Sequence, residues 1–173
     1  MNKTAIIIPV FNEAENLPIL FKNIEKIERP EFIFIFVNDG SQDKSFEILK
    51  TANFNHLLIN HKKNLGLASA VKSGIDEAKK LDVDYVVKVD ADLQHNLEEI
   101  DLLLKELNEE VDFVYGDRFN GEINYKMEFI RKVGNKFFSS LTKWLTDYKI
   151  TDSQPGFIAM KIELAKKIRM LGN

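Results

Sequence analysis

The chain contains no cysteine in its 173 residues. Disulfides, thiolate zinc sites and cysteine nucleophiles are therefore excluded, and a reducing, cytosolic setting fits that composition. Long hydrophobic runs are missing too: nothing approaches the roughly 20 apolar residues of a membrane span. The N-terminal "MNKTAIIIPVFNEAEN" is interrupted by Pro9, Asn12 and Glu13. It lacks the apolar core of a secretory signal and reads as a first strand. There is no excess of positive charge; the formal net charge of −3 disfavours a general nucleic-acid binder. Familiar phosphate-binding glycine motifs are absent as well. "NLGLASAVKSG" (64–74) has no Gly-Lys-Ser/Thr triplet and does not follow the G-x-G-x-x-G order, so neither a Walker A loop nor a nicotinamide site is supported. No repeat, low-complexity tract or linker interrupts the chain.

With 45% apolar and 29% charged residues, the length suits one domain, 1–173, with a sizeable core. Short β-rich runs alternate with longer amphipathic ones. "TAIIIPV" (4–10), "EFIFIFV" (31–37), "HLLI" (56–59), "DYVVKV" (84–89) and "VDFVY" (111–115) read as strands. Helical stretches lie at about 14–28, 43–52, 67–81 and 96–109. In the last, Leu97, Ile100, Leu103, Leu104 and Leu107 keep helical spacing. This alternation predicts an α/β fold with a mainly parallel sheet covered on both faces. Ligands then bind beyond the carboxyl ends of the strands, at a topological switch point. The loops expected there are "PVFNE", "NDGSQD", "NHKKNLG", "DADLQ" and "GDRFN", almost all rich in Asp, Asn, Gly or Arg. A site on that rim is the expectation.

The sharpest signal is "VKVDADLQH" (87–95), where two carboxylates follow an apolar strand directly. Carboxylates are costly to bury unless paired or bound to a metal. Residues i and i+2 of an extended segment point the same way, so Asp90 and Asp92 can face one ligand. Hard oxygen ligands suit Mg²⁺ or Mn²⁺, which keep waters and complete their shell with substrate phosphates. Gln94 would add a neutral oxygen. A helix cap by Asp92, or a simple turn, is the plainer alternative.

Taken in order, "IIIPVFNEAENL", "VNDGSQDKS", "NLGLASAVKSGIDEA", "DADLQH", "GDRF", "IRKVGNKFF" and "DSQPGFIAM" resemble the family-2 glycosyltransferases of GT-A fold. Within them the resemblance is specifically to the polyprenyl-phosphate type, of which dolichyl-phosphate mannose synthase is the familiar member. The resemblance covers nearly the whole chain. It implies a three-layer GT-A sandwich and an inverting, metal-dependent transfer of sugar from a UDP- or GDP-sugar to a polyprenyl phosphate. Pro9, Phe11, Glu13, Val37 and Asp39 would be base and ribose contacts. Asp90, Ala91, Asp92 and Gln94 would be the D-x-D-x-Q segment holding Mg²⁺ or Mn²⁺ and the donor diphosphate, with Asp92 catalytic. Asn64 and Gly66, at the start of a helix bordering the nucleotide pocket, follow as second-tier donor contacts. The donor half is about 1–116 and the acceptor half about 117–173.

On the acceptor side the resemblance places Arg118 and Arg131 at the acceptor phosphate, where a guanidinium binds oxygens bidentately. Lys126 and Lys132 read as surface charge. A phosphate acceptor is already ionised near neutral pH and needs no strong base; a sugar-hydroxyl acceptor would need one, and Asp117 and Asp152 are the candidates. Residues 128–149 read as an amphipathic helix with Ile130, Val133, Phe137, Leu141, Trp144 and Tyr148 on one stripe and lysines interspersed. A membrane-surface role at the cytoplasmic face and ordinary core packing are both open for it. Two departures from the family stand out. Ile158 occupies the position where the family has the Arg of "GFR". The chain also ends at Asn173, where relatives continue, so the acceptor half is read as cut short or the protein as short.

Two other readings compete. One is a transferase acting on a saccharide hydroxyl in cell-surface glycan synthesis; the other is a non-catalytic nucleotide-sugar-binding relative. A phosphoacceptor receiver domain would need an acidic pair after its first strand, and "PVFNE" offers only Glu13.

Overall fold

A computed structural model of the chain describes residues 2–116 and 156–167. Strands β1 (Thr4–Val10), β2 (Phe32–Asn38), β3 (His56–Asn60), β4 (Tyr85–Lys88), β5 (Phe113–Tyr115) and β6 (Ile158–Lys161) form one sheet in the order β3-β2-β1-β4-β6-β5. β1 to β4 run parallel to one another, whereas β6 runs antiparallel to both β4 and β5. The helices among the described residues are α1 (Leu17–Ile27), α2 (Ser45–Leu49), α3 (Leu67–Ala78), α4 (Ile100–Glu106) and α5 (Ile162–Lys167).

β1 is buried at all seven positions, as a continuous apolar run predicts for a strand covered on both faces. Period-2 alternation then divides its side chains. Ile6 and Ile8 join Phe34 and Phe36 of β2 beneath α1 and α4; Ala5 and Ile7 join Ile35 and Val37 beneath α3 and α5. The result is the expected three-layer α/β arrangement. Phe54, in the turn before β3, packs edge-on to Phe21 of α1 and Phe34 of β2, with ring centroids 5.4 and 5.5 Å away.

Several boundaries differ from the sequence expectation. α1 starts at Leu17, because Glu13 to Asn16 form a hydrogen-bonded turn first. The helix expected over 43–52 shrinks to Ser45–Leu49. The one expected over 96–109 opens with a 3-10 turn, Leu97–Glu99, capped by Asn96 Oδ1 accepting from the Glu98 N–H at 3.1 Å. β6 was not foreseen. Its four residues "IAMK" are too few to show a period, and only pairing with β4 and β5 makes them a strand.

Connectivity fixes where a ligand fits. From β1 the chain steps outward to β2 and β3, then α3 carries it back across β1 to β4 on the other side. The carboxyl ends of β1 and β4 therefore flank the switch point. The two strands also part there for a local reason. The last bond of their ladder runs from the Val89 N–H to the Ile7 carbonyl at 3.0 Å. The next donor on β1 in the alternating pattern is Pro9, which has no N–H. Beyond that point the strands separate.

Phe54→Ala is expected to cost about 3–5 kcal/mol, as for other buried aromatic truncations, while Phe54→Leu costs less. Urea denaturation followed by circular dichroism measures both; near-equal losses would contradict the packing role assigned to the ring.

Candidate active site

The gap between β1 and β4 opens into a cleft of about 280 Å³. Pro9, Phe11 and Glu13 line it from the loop after β1, Asp39 from the loop after β2, and Asn64 and Gly66 from the approach to α3. Leu67 and Ala70 of α3 and the segment Asp90 to Asp92 complete the wall. The structure thus brings together nine of the residues expected at the donor. Val37 is not among them: it is fully buried between β2 and α3. Gln94 does not line the cleft either; its backbone N–H donates to Asp92 Oδ1 at 3.1 Å, in a turn where Leu93 takes a positive φ of 61°. Arg118, Arg131, Asp117, Asp152 and the 128–149 helix lie outside the described residues, as do Lys126 and Lys132.

The polar loop after β2 shapes the cleft more than it lines it. The Asn12 N–H donates to Ser41 Oγ at 3.0 Å, and Asn12 Oδ1 accepts from the Gln42 N–H at 2.8 Å. The Glu13 N–H donates to the buried Ser45 Oγ at 2.8 Å, and the Ala14 N–H to Asp43 Oδ2 at 3.0 Å. These bonds hold Asn12 at a positive φ of 56° and point Glu13 inward. Gly40 makes the loops fit. Its φ is 66°, and a Cβ there would lie 2.3 Å from the Lys63 carbonyl carbon.

Asp39 is 3% exposed and ties the next loop down. Its carboxylate accepts from the N–H groups of Leu65 (2.9 Å) and Gly66 (2.8 Å) and from His61 Nδ1 (2.7 Å). A carboxylate only accepts, so His61 carries its proton on Nδ1, and Nε2 faces Ser73 Oγ at 2.9 Å. Three of the four acceptor positions of Asp39 are therefore taken internally, which the sequence reading of it as a nucleotide contact did not anticipate.

Besides Asp39, three carboxylates line the cleft: Glu13, Asp90 and Asp92. Burial pushes the Glu13 carboxyl above its ordinary 4.5, against the lowering hydrogen bond from Asn16, and the charges of Asp92, Asp43 and Asp90 add to the rise. Glu13 thus feels both aspartates of the D-x-D segment. Asp90 is paired: its Oδ1 lies 2.5 Å from Nζ of Lys88, a lysine 5% exposed within β4. Lys88 sits opposite Ile158 in the β4–β6 register, so that stretch of sheet carries its cation on β4. The backbone at Gly156 closes on the same carboxylate; a Cβ there would lie 2.5 Å from both Asp90 Oδ2 and His95 Nε2.

Among the described residues no three acidic or histidine side chains are close enough to enclose a metal ion alone. Two aspartates with hard oxygens still match Mg²⁺ or Mn²⁺, which bind through one or two carboxylates, waters and substrate phosphates. A second depression, of about 390 Å³, lies beyond Gly40 between Asp43, Glu47, Lys62 and Lys63. It contains neither aspartate of the D-x-D segment.

A sheet of this order, with an acidic cleft at its switch point, has the architecture of the GT-A glycosyltransferases. Residues 5–169 match glycosyl transferase family 2, and the chain belongs to that family. It is 30% identical over 171 residues to the UDP-N-acetylglucosamine–dolichyl-phosphate N-acetylglucosaminyltransferase of Methanococcus voltae, covering 89% of this chain and 67% of that one. It is 34% identical over 160 residues to the undecaprenyl-phosphate 4-deoxy-4-formamido-L-arabinose transferase of Proteus mirabilis, covering 88% and 47%. In fold it is similar to a mannosyltransferase from Pyrobaculum calidifontis in complex with GDP-Man and Mn²⁺, with a TM-score of 0.66, 17% identity, and 96% of this chain matched to 46% of that one. The chain spans about half to about three quarters of the length of the curated relatives it matches, from 47% to 73% among them. No helix among the described residues is long and apolar enough to cross a membrane.

Sequence reasoning missed Lys88, His61 and the scaffold made by Ser41, Asp43 and Ser45. Lys88 carried a usable signal: a lysine inside "YVVKV", two residues before Asp90, is out of place in a strand buried on both faces.

A carboxyl whose folded value is raised stabilises the fold below its ordinary value and loses that contribution as pH rises through the folded value. Glu13→Gln stays uncharged throughout. Its stability relative to wild type should therefore grow as pH is raised from about 4.5 toward neutrality, and the difference should level off below that. Urea midpoints across this range test it; a difference independent of pH would show that neither burial nor the acidic neighbours raise the Glu13 carboxyl.

Proposed function

We propose that this chain transfers a sugar, with inversion, from a nucleotide-diphosphate sugar to a polyprenyl phosphate at the cytoplasmic face of a membrane. The observation that carries the proposal is the convergence of Glu13, Asp90 and Asp92 on one cleft at the switch point. Relatives named for dolichyl- and undecaprenyl-phosphate transfer support the lipid acceptor. A fold neighbour solved with GDP-Man and a relative named for UDP-N-acetylglucosamine leave both UDP- and GDP-sugars as donors.

Each residue has a distinct part in this mechanism. Pro9 and the half-exposed Phe11 offer the base an apolar surface, and the remaining acceptor position of Asp39 can take an N–H of the base or a ribose hydroxyl. Asn64 and Gly66 close the pocket around the nucleoside. Asp90 and Asp92 would hold Mg²⁺ or Mn²⁺, which supplies stabilisation for the charge that develops on the departing nucleoside diphosphate. The Gln94 N–H fixes the rotamer of Asp92 for that task. An oxygen of the acceptor phosphate attacks the anomeric carbon as the bond from that carbon to the diphosphate oxygen breaks. The attacking oxygen is already ionised, so no base takes a proton. Arg118 and Arg131 are the proposed acceptor-phosphate contacts, and the 128–149 helix the proposed membrane-surface element.

Calorimetric titration with UDP and with GDP, each with and without Mn²⁺, tests the donor site. Binding of one nucleotide should require Mn²⁺ and weaken at least about tenfold, some 1.4 kcal/mol, in Asp92→Asn. Metal-independent binding, or none to either nucleotide, would refute the site. Transfer to a saccharide in place of a polyprenyl phosphate, abolished by Asp117→Asn or Asp152→Asn, would overturn the acceptor.

A further inference from the structure

The charge hardest to account for is Lys88. It sits on β4 between β1 and β6, on the sheet face that carries Ile7 and Ile158, and is 5% exposed. Lysine is almost never this buried unless paired. Its Nζ meets Asp90 Oδ1 at 2.5 Å, yet it does not line the cleft. A buried ion pair adds little net stability over an apolar pair of the same volume. Stability alone therefore gives no reason to place a cation directly beneath a carboxylate whose proposed task is to hold another cation.

We propose that Lys88 is a positioning residue that makes the divalent cation and the nucleoside diphosphate bind together and not separately. This rests on the reading that Asp90 and Asp92 take the cation. Without donor, Lys88 holds Asp90 and cancels one of the two aspartate charges. Of the two aspartate charges, a divalent cation arriving alone finds only one uncompensated, and it meets repulsion from the buried ammonium and an Asp90 oxygen already engaged. Once the cation is in place, the two aspartates, Lys88 and the cation sum to one positive charge, and that excess attracts a diphosphate. Remove Lys88 and the same sum is zero: the cation alone is favoured, and the pull on the diphosphate is lost. Glu13 shifts both sums equally. Lys88 touches neither ligand; it acts through Asp90 and through its charge.

Mn²⁺ binding, followed by loss of the free-ion electron paramagnetic resonance signal, separates these states without any need for turnover. It is measured with and without whichever of UDP or GDP binds, on wild type, Lys88→Met, Lys88→Arg and Asp92→Asn. Lys88→Met should bind Mn²⁺ alone at least tenfold more tightly than wild type. The factor by which nucleotide strengthens Mn²⁺ binding should fall at least tenfold, and by linkage the factor by which Mn²⁺ strengthens nucleotide binding falls equally. Lys88→Arg keeps the charge and should keep the wild-type coupling. A purely structural defect would weaken both affinities together, in place of moving them in opposite directions. Should Lys88→Met not fold, Lys88→Gln is read in the same way. Mn²⁺ binding alone that is no tighter in the neutral variant, or an unchanged coupling factor, overturns the role of Lys88 while leaving the metal site standing if Asp92→Asn still weakens binding at least tenfold. Absence of Mn²⁺ binding to wild type with either nucleotide overturns the metal reading of Asp90 and Asp92, and this inference with it.

Discussion

The bond from the Val89 N–H to the Ile7 carbonyl is the last that β1 and β4 share, and the chemistry of this chain begins where that ladder stops. Below it the two strands are neighbours in a sheet buried on both faces. Above it Pro9 cannot donate, so the strands separate and their continuations turn apart. One takes Phe11 and Glu13 to one wall of the cleft, the other takes Asp90 and Asp92 to the facing wall. The topology put a crevice at this place in any case, because α3 crosses from β3 to β4 over β1. The proline sets how deep into the sheet it reaches.

A gap of that kind needs walls that hold without a ligand, and the loops after β2 and β3 provide them. Ser41, Asp43 and Ser45 receive the N–H groups of Asn12, Glu13 and Ala14, donors that a left-handed residue would otherwise leave without partners. Asp39 does the same for Leu65 and Gly66. Both sets depend on Gly40, at which the backbone of Lys63 and Asn64 passes too close for any side chain. Rigidity is gained before any donor arrives, which lowers the ordering cost of binding.

What the sequence made legible follows from where its signals are local. The buried strands announce themselves as apolar runs, "AIIIPV" and "FIFIFV", and the aspartates as acids placed where a strand ends. α3 was legible because Gly66 opens an amphipathic stretch. Features that depend on a distant partner were not. β6 exists only through pairing with β4 and β5. The task of Asp39 depends on amides some 26 residues away, and a side chain that caps a loop is written in the same letters as one that binds a base. Val37 shows the converse: the family resemblance put it at the donor, whereas the period of β2 turns it under α3, with Ile35. For Gln94, expected to offer a side-chain oxygen, the bond seen is that of its backbone N–H to Asp92.

The carboxylates around the rim can be sorted by what already surrounds them, and that sorting says more than proximity does. Asp43 is opposed by desolvation yet held below its ordinary value by hydrogen bonds from Ser45 and the Ala14 N–H. Asp39 has three internal donors. Asp43 is thereby stabilised as an anion by the fold itself, whereas the donors on Asp39 leave one acceptor position to a ligand. Glu13 moves the other way, raised by burial and by the charges of Asp92, Asp43 and Asp90. An acid raised by burial and by its acidic neighbours is destabilised as an anion until positive charge arrives. The fold supplies part of that charge from below, through Lys88, and leaves the remainder to be brought in. A cluster built for stability alone would have been neutralised completely or replaced by apolar residues. This one is neutralised halfway, which is the condition under which an incoming cation and an incoming diphosphate each improve the place of the other.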